Sequence, residues 1–232
     1  MIRAIIFDVD GTLAETEETH RRAFNRAFEG AGLPWTWDQH LYRELLAVTG
    51  GKERIRHFID AYSAEGAPQD DLGAFIRALH AEKTLAYTQM VSGGELELRP
   101  GVEMTIAAAQ QRGFRLAIAT TTTPANVDAL LMATLGGSRQ ELFEVICAGD
   151  SVPNKKPAPD VYLKALQELG LPGASCIAIE DSRNGLLSSC AAGIATIVTP
   201  SIYTRDENFE EAALVIDDLE SLDFTAIEAL FA

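Results

Sequence analysis

The sequence has few positive charges and no long apolar run. Its 232 residues contain 19 Lys and Arg against 34 Asp and Glu, a formal net charge of −15. Nucleic acids and anionic membranes require a basic protein surface, so this balance argues against both as partners. No run approaches the roughly 18 apolar residues of a membrane-spanning helix, and Asp8 interrupts the first apolar stretch too early for a signal peptide.

Cysteine is also scarce. The three cysteines, Cys147, Cys176 and Cys190, lie in apolar contexts and lack the spacing of metal ligands. Such residues are typical of reduced thiols in a protein core, so we expect a cytoplasmic protein.

The apolar faces of the predicted elements are all needed for the core, and we therefore expect a monomer.

Residues 1–13, MIRAIIFDVDGTL, combine an apolar run with two carboxylates. The run from Ala4 to Phe7 is bounded by Asp and Gly, which predicts a buried parallel strand. Side chains two positions apart point the same way along a strand, so Asp8 and Asp10 are predicted to converge at its carboxyl end. Two carboxylates so close require a cation or a shared proton. The alternative is an ordinary strand end followed by an Asp-Gly turn.

The remainder of the chain changes pattern once. Helical periodicity alone runs from Leu13 to Ser92, with helices predicted at residues 15–31, 38–48, 52–64 and 69–90. From Arg99 onward, strands alternate with helices, and six strands are predicted at residues 4–7, 115–119, 143–148, 176–179, 195–198 and 213–216. This alternation predicts an α/β fold with a doubly wound, mostly parallel, Rossmann-like sheet. We predict a core at residues 1–15 and 95–232, an all-helical insert at residues 16–94, and a hinge at residues 92–94.

Three more predicted strands end in polar residues. Thr120, Lys156 and the pair Glu180-Asp181 each follow one of them. Alone, the threonine or the acidic pair could cap the next helix, and the lysine could be a solvated loop charge. Together with Asp8 they supply a carboxylate nucleophile, a hydroxyl, an ammonium and an acidic pair, the set that phosphoryl transfer needs.

These motifs resemble those of the haloacid dehalogenase superfamily, phosphatase branch, over the whole chain. Asp8-Val-Asp-Gly-Thr-Leu13 is similar to the first motif, Thr120 to the second, Lys156 before Pro157 to the third, and Glu180-Asp181 to the fourth. The helical insert resembles the small cap of the β-phosphoglucomutase-like subgroup.

The resemblance implies a role for each motif residue. Asp8 would be the nucleophile and a Mg²⁺ ligand, and Asp10 the general acid/base, lending the metal its backbone carbonyl. Asp181 would bind the metal, and Glu180 would support it directly or through water. The phosphoryl group would be held by Thr120 and Lys156. We also expect the crowding of Asp10 to raise its pKa enough for it to act as an acid.

The insert is expected to recognise the substrate. Residues 50–54 (GGKER) combine the backbone freedom of two glycines with two cations at the start of a helix. This combination favours an anion-binding site. Glu17 and His20 lie one turn apart, and Lys83 shares a face with His80, although both of these last residues could be solvated surface groups. The predicted substrate-binding residues are Glu17, His20, Gly50, Gly51, Lys52, Glu53, Arg54, Lys83, Thr121 and Thr122.

Several segments are similar to the CbbY-type phosphatases, namely residues 15–24, 49–55, 119–122 and 155–157. This resemblance implies conversion of xylulose-1,5-bisphosphate, a Rubisco inhibitor, to xylulose 5-phosphate, in connection with the Calvin cycle. One phosphate would meet Asp8 and Mg²⁺, and the other Lys52 and Arg54. The alternatives are a β-phosphoglucomutase-like mutase, a broad sugar-monophosphate phosphatase, or a signalling module phosphorylated on aspartate.

Overall fold

The computed structural model describes residues 2–62, 64–68, 70–136, 142–225 and 227. Its sheet has six strands, all paired in parallel, in the order β3-β2-β1-β4-β5-β6. The strands are β1 (Ala4–Phe7), β2 (Arg115–Ala119), β3 (Val145–Cys147), β4 (Cys176–Glu180), β5 (Ala195–Val198) and β6 (Leu214–Val215). The predicted α/β fold class is confirmed.

Strand β1 lies at the centre of the sheet, between β2 and β4. The strand order reverses between β1 and β4, and a crevice forms at such a point outside the carboxyl ends of the strands. The amide of Asp8 donates to the carbonyl of Ile179 over 3.0 Å, which continues the pairing of these two strands past the end of β1. The residues that follow β1 and β4 are therefore neighbours.

Both faces of β1 are buried. Ile5 and Phe7 belong to one hydrophobic cluster, whereas Ala4 and Ile6 belong to another. Successive side chains of a strand point to opposite faces, so a strand covered on both sides needs an unbroken apolar run. The AIIF segment meets that requirement.

Four helices connect β1 to the rest of the core. They are α1 (Glu17–Gly30), α2 (Gln39–Leu45), α3 (Gly51–Tyr62) and α4 (Leu72–Ser92). The described residues from 14 to 98 contain no strand, as predicted. Two predicted helix boundaries differ from those in the structure. Helix α3 ends at Tyr62 and not at Ala64, and α4 begins at Leu72, whereas its predicted start, Gln69, lies outside the described residues.

The insert has an aromatic core of its own. The rings of Phe24 and Trp37 lie 4.6 Å apart, and Phe28 packs against Trp37 at 4.9 Å. Asp38 caps α2, with its carboxylate accepting from the amide of Leu41 over 2.8 Å. The proposed division at residues 16–94 stays a prediction.

Four further helices cover the sheet: α5 (Val102–Gln111), α6 (Pro124–Leu135), α7 (Asp160–Leu169) and α8 (Arg183–Ala191). The side chain of Thr123 caps α6, and that of Ser182 caps α8. Helix capping therefore does not account for Thr120 or for Glu180-Asp181. Among the described helices, none is long and apolar enough to cross a membrane.

Candidate active site

Three carboxylates meet at the carboxyl edge of the sheet. Asp8 follows β1, Glu180 ends β4, and Asp181 follows it. One ligand oxygen from each lies within 4.8 Å of the others. All three side chains are buried, and burying carboxylates together is costly unless a cation or a proton compensates for the charge.

Lys156 bridges two of these carboxylates. Its Nζ lies 2.6 Å from Oδ1 of Asp8 and 2.6 Å from Oε1 of Glu180. Burial alone would lower the pKa of Lys156, but the two carboxylates outweigh burial and raise it. Lys156 is thus a buried, charged member of the cluster, and the alternative of a solvated loop charge is wrong.

The cluster suits a hard divalent cation. Burial raises the pKa of Asp8 to about 8, with Lys156 opposing and Glu180 and Asp10 adding to the rise. Burial, Asp8 and Glu180 also raise the pKa of Asp181 well above its usual range. Oε2 of Glu180 is buried and has no hydrogen-bond partner in the described part of the chain. Mg²⁺ prefers oxygen ligands, carboxylates among them, so these donors fit the predicted metal.

The turn after β1 depends on a glycine. Gly11 has φ +79°, a conformation that favours glycine, and a Cβ there would lie 2.1 Å from Oδ2 of Asp181. The Asp-Gly sequence therefore lets Asp181 approach the first turn closely.

Asp10 turns away from the carboxylate cluster. Its Oδ1 accepts from Oγ1 of Thr16 over 2.7 Å and lies 2.9 Å from Nε2 of His20. The Nδ1 of His20 lies 2.7 Å from Nζ of Lys83. With Lys83 protonated, its ammonium can only donate, so Nδ1 accepts and Nε2 carries a hydrogen toward Asp10.

The expected rise in the pKa of Asp10 is wrong for this arrangement. Burial would raise the pKa, but His20, Thr16 and Lys83 outweigh it and hold the pKa below its usual range. The physical reason is that β1 ends at Phe7, so strand alternation does not extend to Asp10. Its carboxylate joins the donors of the insert and not those of Asp8.

The loop after β2 provides hydroxyls. Thr120 is buried, and its Oγ1 accepts from the amide of Thr122 over 3.2 Å. Oγ1 of Thr122 accepts in turn from Nδ2 of Asn126 over 2.9 Å. Thr120 to Thr122 border the same cavity as Asp8 and Lys156.

This cavity brings the predicted residues together. All ten predicted substrate-binding residues border it, from both the insert and the core. Asp8, Asp10, Thr120, Lys156 and Asp181 border it as well. The reading of Lys83 as a solvated surface group is wrong, since its side chain is buried, and His80 is half-buried against Gly51.

The two cations of residues 50–54 are both engaged. Lys52 forms an ion pair with Asp150 of the core, and Lys155 pairs with the same carboxylate over 2.9 Å. Arg54 is buried, and its Nε donates to the carbonyl of Leu45 over 3.2 Å. Lys52 thus connects the insert to the core at the cavity, and Arg54 lies deeper.

Sequence reasoning missed several site residues. Tyr162 donates to Glu180 over 2.5 Å, but its place on the apolar face of α7 made it indistinguishable from core. Thr16 and Tyr42 were also missed. A helix-start threonine six residues after Asp10 was the one signal available, because Thr16 is the N-cap residue of α1.

Comparison with known proteins agrees with this geometry. The family model "haloacid dehalogenase-like hydrolase" matches residues 2–193. The chain belongs to that family. Protein CbbY of Rhodobacter capsulatus is 52% identical over 229 residues, which cover 99% of each chain. The predicted family resemblance is confirmed, and the chain is a phosphatase of the CbbY type.

Solved structures of the same type superpose closely. The crystal structure of CbbY from Rhodobacter sphaeroides in complex with phosphate matches with TM-score 0.91 and 49% identity, covering 96% of each chain. A mutant of that protein in complex with xylulose-(1,5)bisphosphate matches with TM-score 0.91 and 48% identity, again over 96% of each chain. The sheet-edge cluster thus lies in a CbbY-type phosphatase fold.

Proposed function

We propose that this phosphatase hydrolyses a sugar bisphosphate, xylulose-1,5-bisphosphate, to xylulose 5-phosphate, with Mg²⁺ as cofactor. One observation carries the proposal: a single cavity is bordered by the Asp8–Lys156 pair and by three further lysines, Lys52, Lys83 and Lys155. In a substrate with two phosphates, one phosphate would meet the Asp8–Lys156 pair and the other would meet the remaining lysines. We name xylulose-1,5-bisphosphate as that substrate because a relative of this chain was crystallised with it.

In the first step, the carboxylate of Asp8 attacks phosphorus, and the bond from phosphorus to the sugar oxygen breaks. The leaving oxygen takes a proton from Asp10, which gives an alcohol and a phosphoryl group on Asp8. Lys156 and the hydroxyl of Thr120 hold the phosphoryl oxygens during the transfer.

In the second step, water attacks the phosphoryl group and Asp10 accepts its proton. The bond from phosphorus to the Asp8 oxygen breaks, which restores the carboxylate and releases inorganic phosphate. The low pKa of Asp10 in the substrate-free protein suits this base role, and its acid role in the first step requires that substrate binding raise that pKa. Bound to Asp8, Asp181 and Glu180, with the backbone carbonyl of Asp10, Mg²⁺ would supply positive charge that keeps Asp8 ionised and neutralises the phosphoryl oxygens.

The insert would recognise the second phosphate. Lys52 borders the cavity, and displacement of its partner Asp150 would free the ammonium for a phosphate. The buried Arg54 would add positive charge to this phosphate site, while its Nε donates to the backbone carbonyls of Leu45 and Val48. Closure of the insert over the substrate would exclude water during the first step.

The experiment is a phosphate-release screen of the purified protein with added Mg²⁺ against sugar mono- and bisphosphates. We expect xylulose-1,5-bisphosphate to give the highest kcat/KM and one phosphate per molecule. Isomerised hexose phosphate from a hexose 1-phosphate would instead favour a mutase. Equal rates on many monophosphates would favour a broad sugar-monophosphate phosphatase.

A further inference from the structure

Asp181 lies just beyond the last residue of β4, and two other segments of the chain enclose it. One is the turn after β1, where a Cβ on Gly11 would collide with Oδ2 of Asp181. The other is the loop at residues 199–204, which follows β5, since the same Cβ position lies 3.1 Å from Cβ of Ser201. Asp181 and Ser201 are both buried. The position of Asp181 therefore depends on two segments outside its own strand.

The side chain of Arg99 bonds to both of these segments. It is 8% exposed, and its Nη1 donates to the carbonyl of Gly11 and, over 2.7 Å, to that of Thr199. Its Nη2 donates to the carbonyl of Pro200 over 2.9 Å. A guanidinium presents five N–H donors in a rigid plane, so one side chain can bind several carbonyls at a fixed spacing. Arg99 thus holds the 199–204 loop against the turn after β1.

Thr204 bonds this loop to Asp181 itself. Its Oγ1 accepts from the amide of Ser201 over 2.9 Å and donates to the backbone carbonyl of Asp181 over 2.6 Å. A carbonyl can only accept, so the single hydrogen of the hydroxyl goes to Asp181. The pairing of β4 with β5 ends at Glu180, and the carbonyl of Asp181 lies beyond it. The Thr204 hydroxyl therefore orients a peptide group that the sheet no longer orients.

Arg99 is itself fixed where the chain returns from the insert to the core. Its amide donates to the carbonyl of Leu13 over 2.8 Å, and the preceding Leu98 forms an antiparallel bridge with Ala14. Its Nε lies 3.5 Å from Oε1 of Glu15, on the connection that leads into the insert. The backbone and the charge of Arg99 are both held, so its guanidinium is a firm anchor for the loop.

We infer that Thr204 is a positioning residue for Asp181 as a metal ligand, and that Arg99 anchors the loop that carries Thr204. The inference rests on the proposed function, because it takes Asp181 to bind Mg²⁺. This ion demands near-ideal octahedral geometry, so it favours a carboxylate whose backbone is already oriented. Outer groups that orient metal ligands commonly contribute 10- to 100-fold to metal affinity.

The test measures the Mg²⁺ affinity of the substrate-free protein by isothermal titration. Thr204→Val keeps the shape of the side chain and removes the hydroxyl, whereas Arg99→Lys keeps the charge and removes the planar fork. We expect each variant to bind Mg²⁺ about tenfold more weakly than the wild type. Thr204→Ser keeps the hydroxyl, so it is expected to retain most of the wild-type affinity.

Two variants serve as controls. The hydroxyl of Tyr203, the residue before Thr204, donates to Oε2 of Glu18 over 2.8 Å, and Tyr203 does not border the cavity. Arg115 also donates to a backbone carbonyl, that of Leu169, over 2.7 Å, but it lies at the start of β2, away from the carboxyl edge of the sheet. We expect Tyr203→Phe and Arg115→Lys to bind Mg²⁺ as tightly as the wild type.

A purely structural Thr204 gives a different result. Thr204→Val would then lower the free energy of unfolding, measured with urea in the absence of Mg²⁺, and leave the Mg²⁺ affinity of the folded protein unchanged. That outcome overturns the inference, and so does an equal loss of affinity in the two controls. If Arg99→Lys does not fold, the comparison of Thr204→Val with Thr204→Ser decides the inference.

Failure of the proposed cofactor is distinguishable from failure of the inference. A wild-type protein that binds no Mg²⁺ contradicts both. A wild-type protein that binds Mg²⁺, together with a Thr204→Val variant that binds it equally tightly, overturns the inference alone and leaves the cofactor in place.

Discussion

The hydroxyl of Tyr162 donates to Oε1 of Glu180 over 2.5 Å, inside the protein core. The same oxygen accepts from Lys156 over 2.6 Å, whereas Oε2 has no partner among the described residues. Two donors on one oxygen fix the orientation of the carboxylate. Groups that orient metal-binding carboxylates commonly matter almost as much as the ligands themselves.

We predict that Tyr162→Phe weakens Mg²⁺ binding by about 10- to 100-fold, the usual range for such outer partners. The reason is that Glu180 loses one of the two donors that orient it, while the ring still fills the core. Isothermal titration of the substrate-free protein with Mg²⁺ measures the affinity. Tyr203→Phe is the matched control, and a Tyr162→Phe protein that binds Mg²⁺ as tightly as the wild type would contradict the prediction.

The lowered pKa of the buried Lys83 predicts that the free energy of unfolding depends on pH. Burial lowers the pKa of Lys83 to about 7 from its ordinary 10.5, with Asp10 and Glu17 opposing and Arg54 adding to the fall. Between pH 7 and pH 10.5, Lys83 is protonated in the unfolded chain but not in the folded chain, so the free energy of unfolding rises with pH over this range. Below pH 7, Lys83 is protonated in both states, and the destabilisation caused by burying its charge is fully present.

We therefore expect Lys83→Met to gain stability relative to the wild type, most at pH 7 and below. The gain should shrink above pH 7 by up to about 1.4 kcal/mol per pH unit. Urea unfolding at a series of pH values measures the difference in the free energy of unfolding. Lys164→Met, on the surface of α7, should show no such trend, and a gain for Lys83→Met that grows with pH would be the wrong sign for our account.

The position of Lys52 in the cavity lining predicts that its loss affects KM differently for different substrates. We expect Lys52→Ala to raise KM for xylulose-1,5-bisphosphate far more than KM for a sugar monophosphate, because only the bisphosphate has a second anionic group. Loss of one charged hydrogen bond is worth roughly 1.5–3 kcal/mol. Steady-state kinetics on both substrates measures it, with Arg56→Ala, an exposed cation of the same helix, as control. Equal effects on the two substrates would remove the second-phosphate role of Lys52.

The sheet-edge half of the site could be predicted from the sequence. Asp8, Thr120 and Asp181 each directly follow a short apolar run or its terminal residue, and a parallel sheet gathers the carboxyl ends of its strands at one edge whatever their order. Strand order was therefore not needed to expect these residues together. The same logic failed for the pKa of Asp10, which lies in a turn beyond the last strand residue.

Contacts between the insert helices could not be predicted. His20 and Lys83 lie 63 residues apart, on α1 and α4, and their meeting depends on how these helices pack. Arg54 was predicted to bind an anion at a helix start, but the sequence did not indicate that packing of α2 against α3 would bury it. Tyr162 was missed since helical periodicity identifies an inward face but not a polar partner waiting there.

The most direct test of the account is turnover of xylulose-1,5-bisphosphate by the wild type and Asp8→Asn, measured side by side as phosphate release with Mg²⁺. Asparagine keeps the shape of the side chain but removes the attacking oxyanion, so a fall of at least about a thousandfold is expected, in the range seen when a catalytic nucleophile is removed. Near-normal phosphate release by Asp8→Asn would contradict the central claim that Asp8 is the nucleophile.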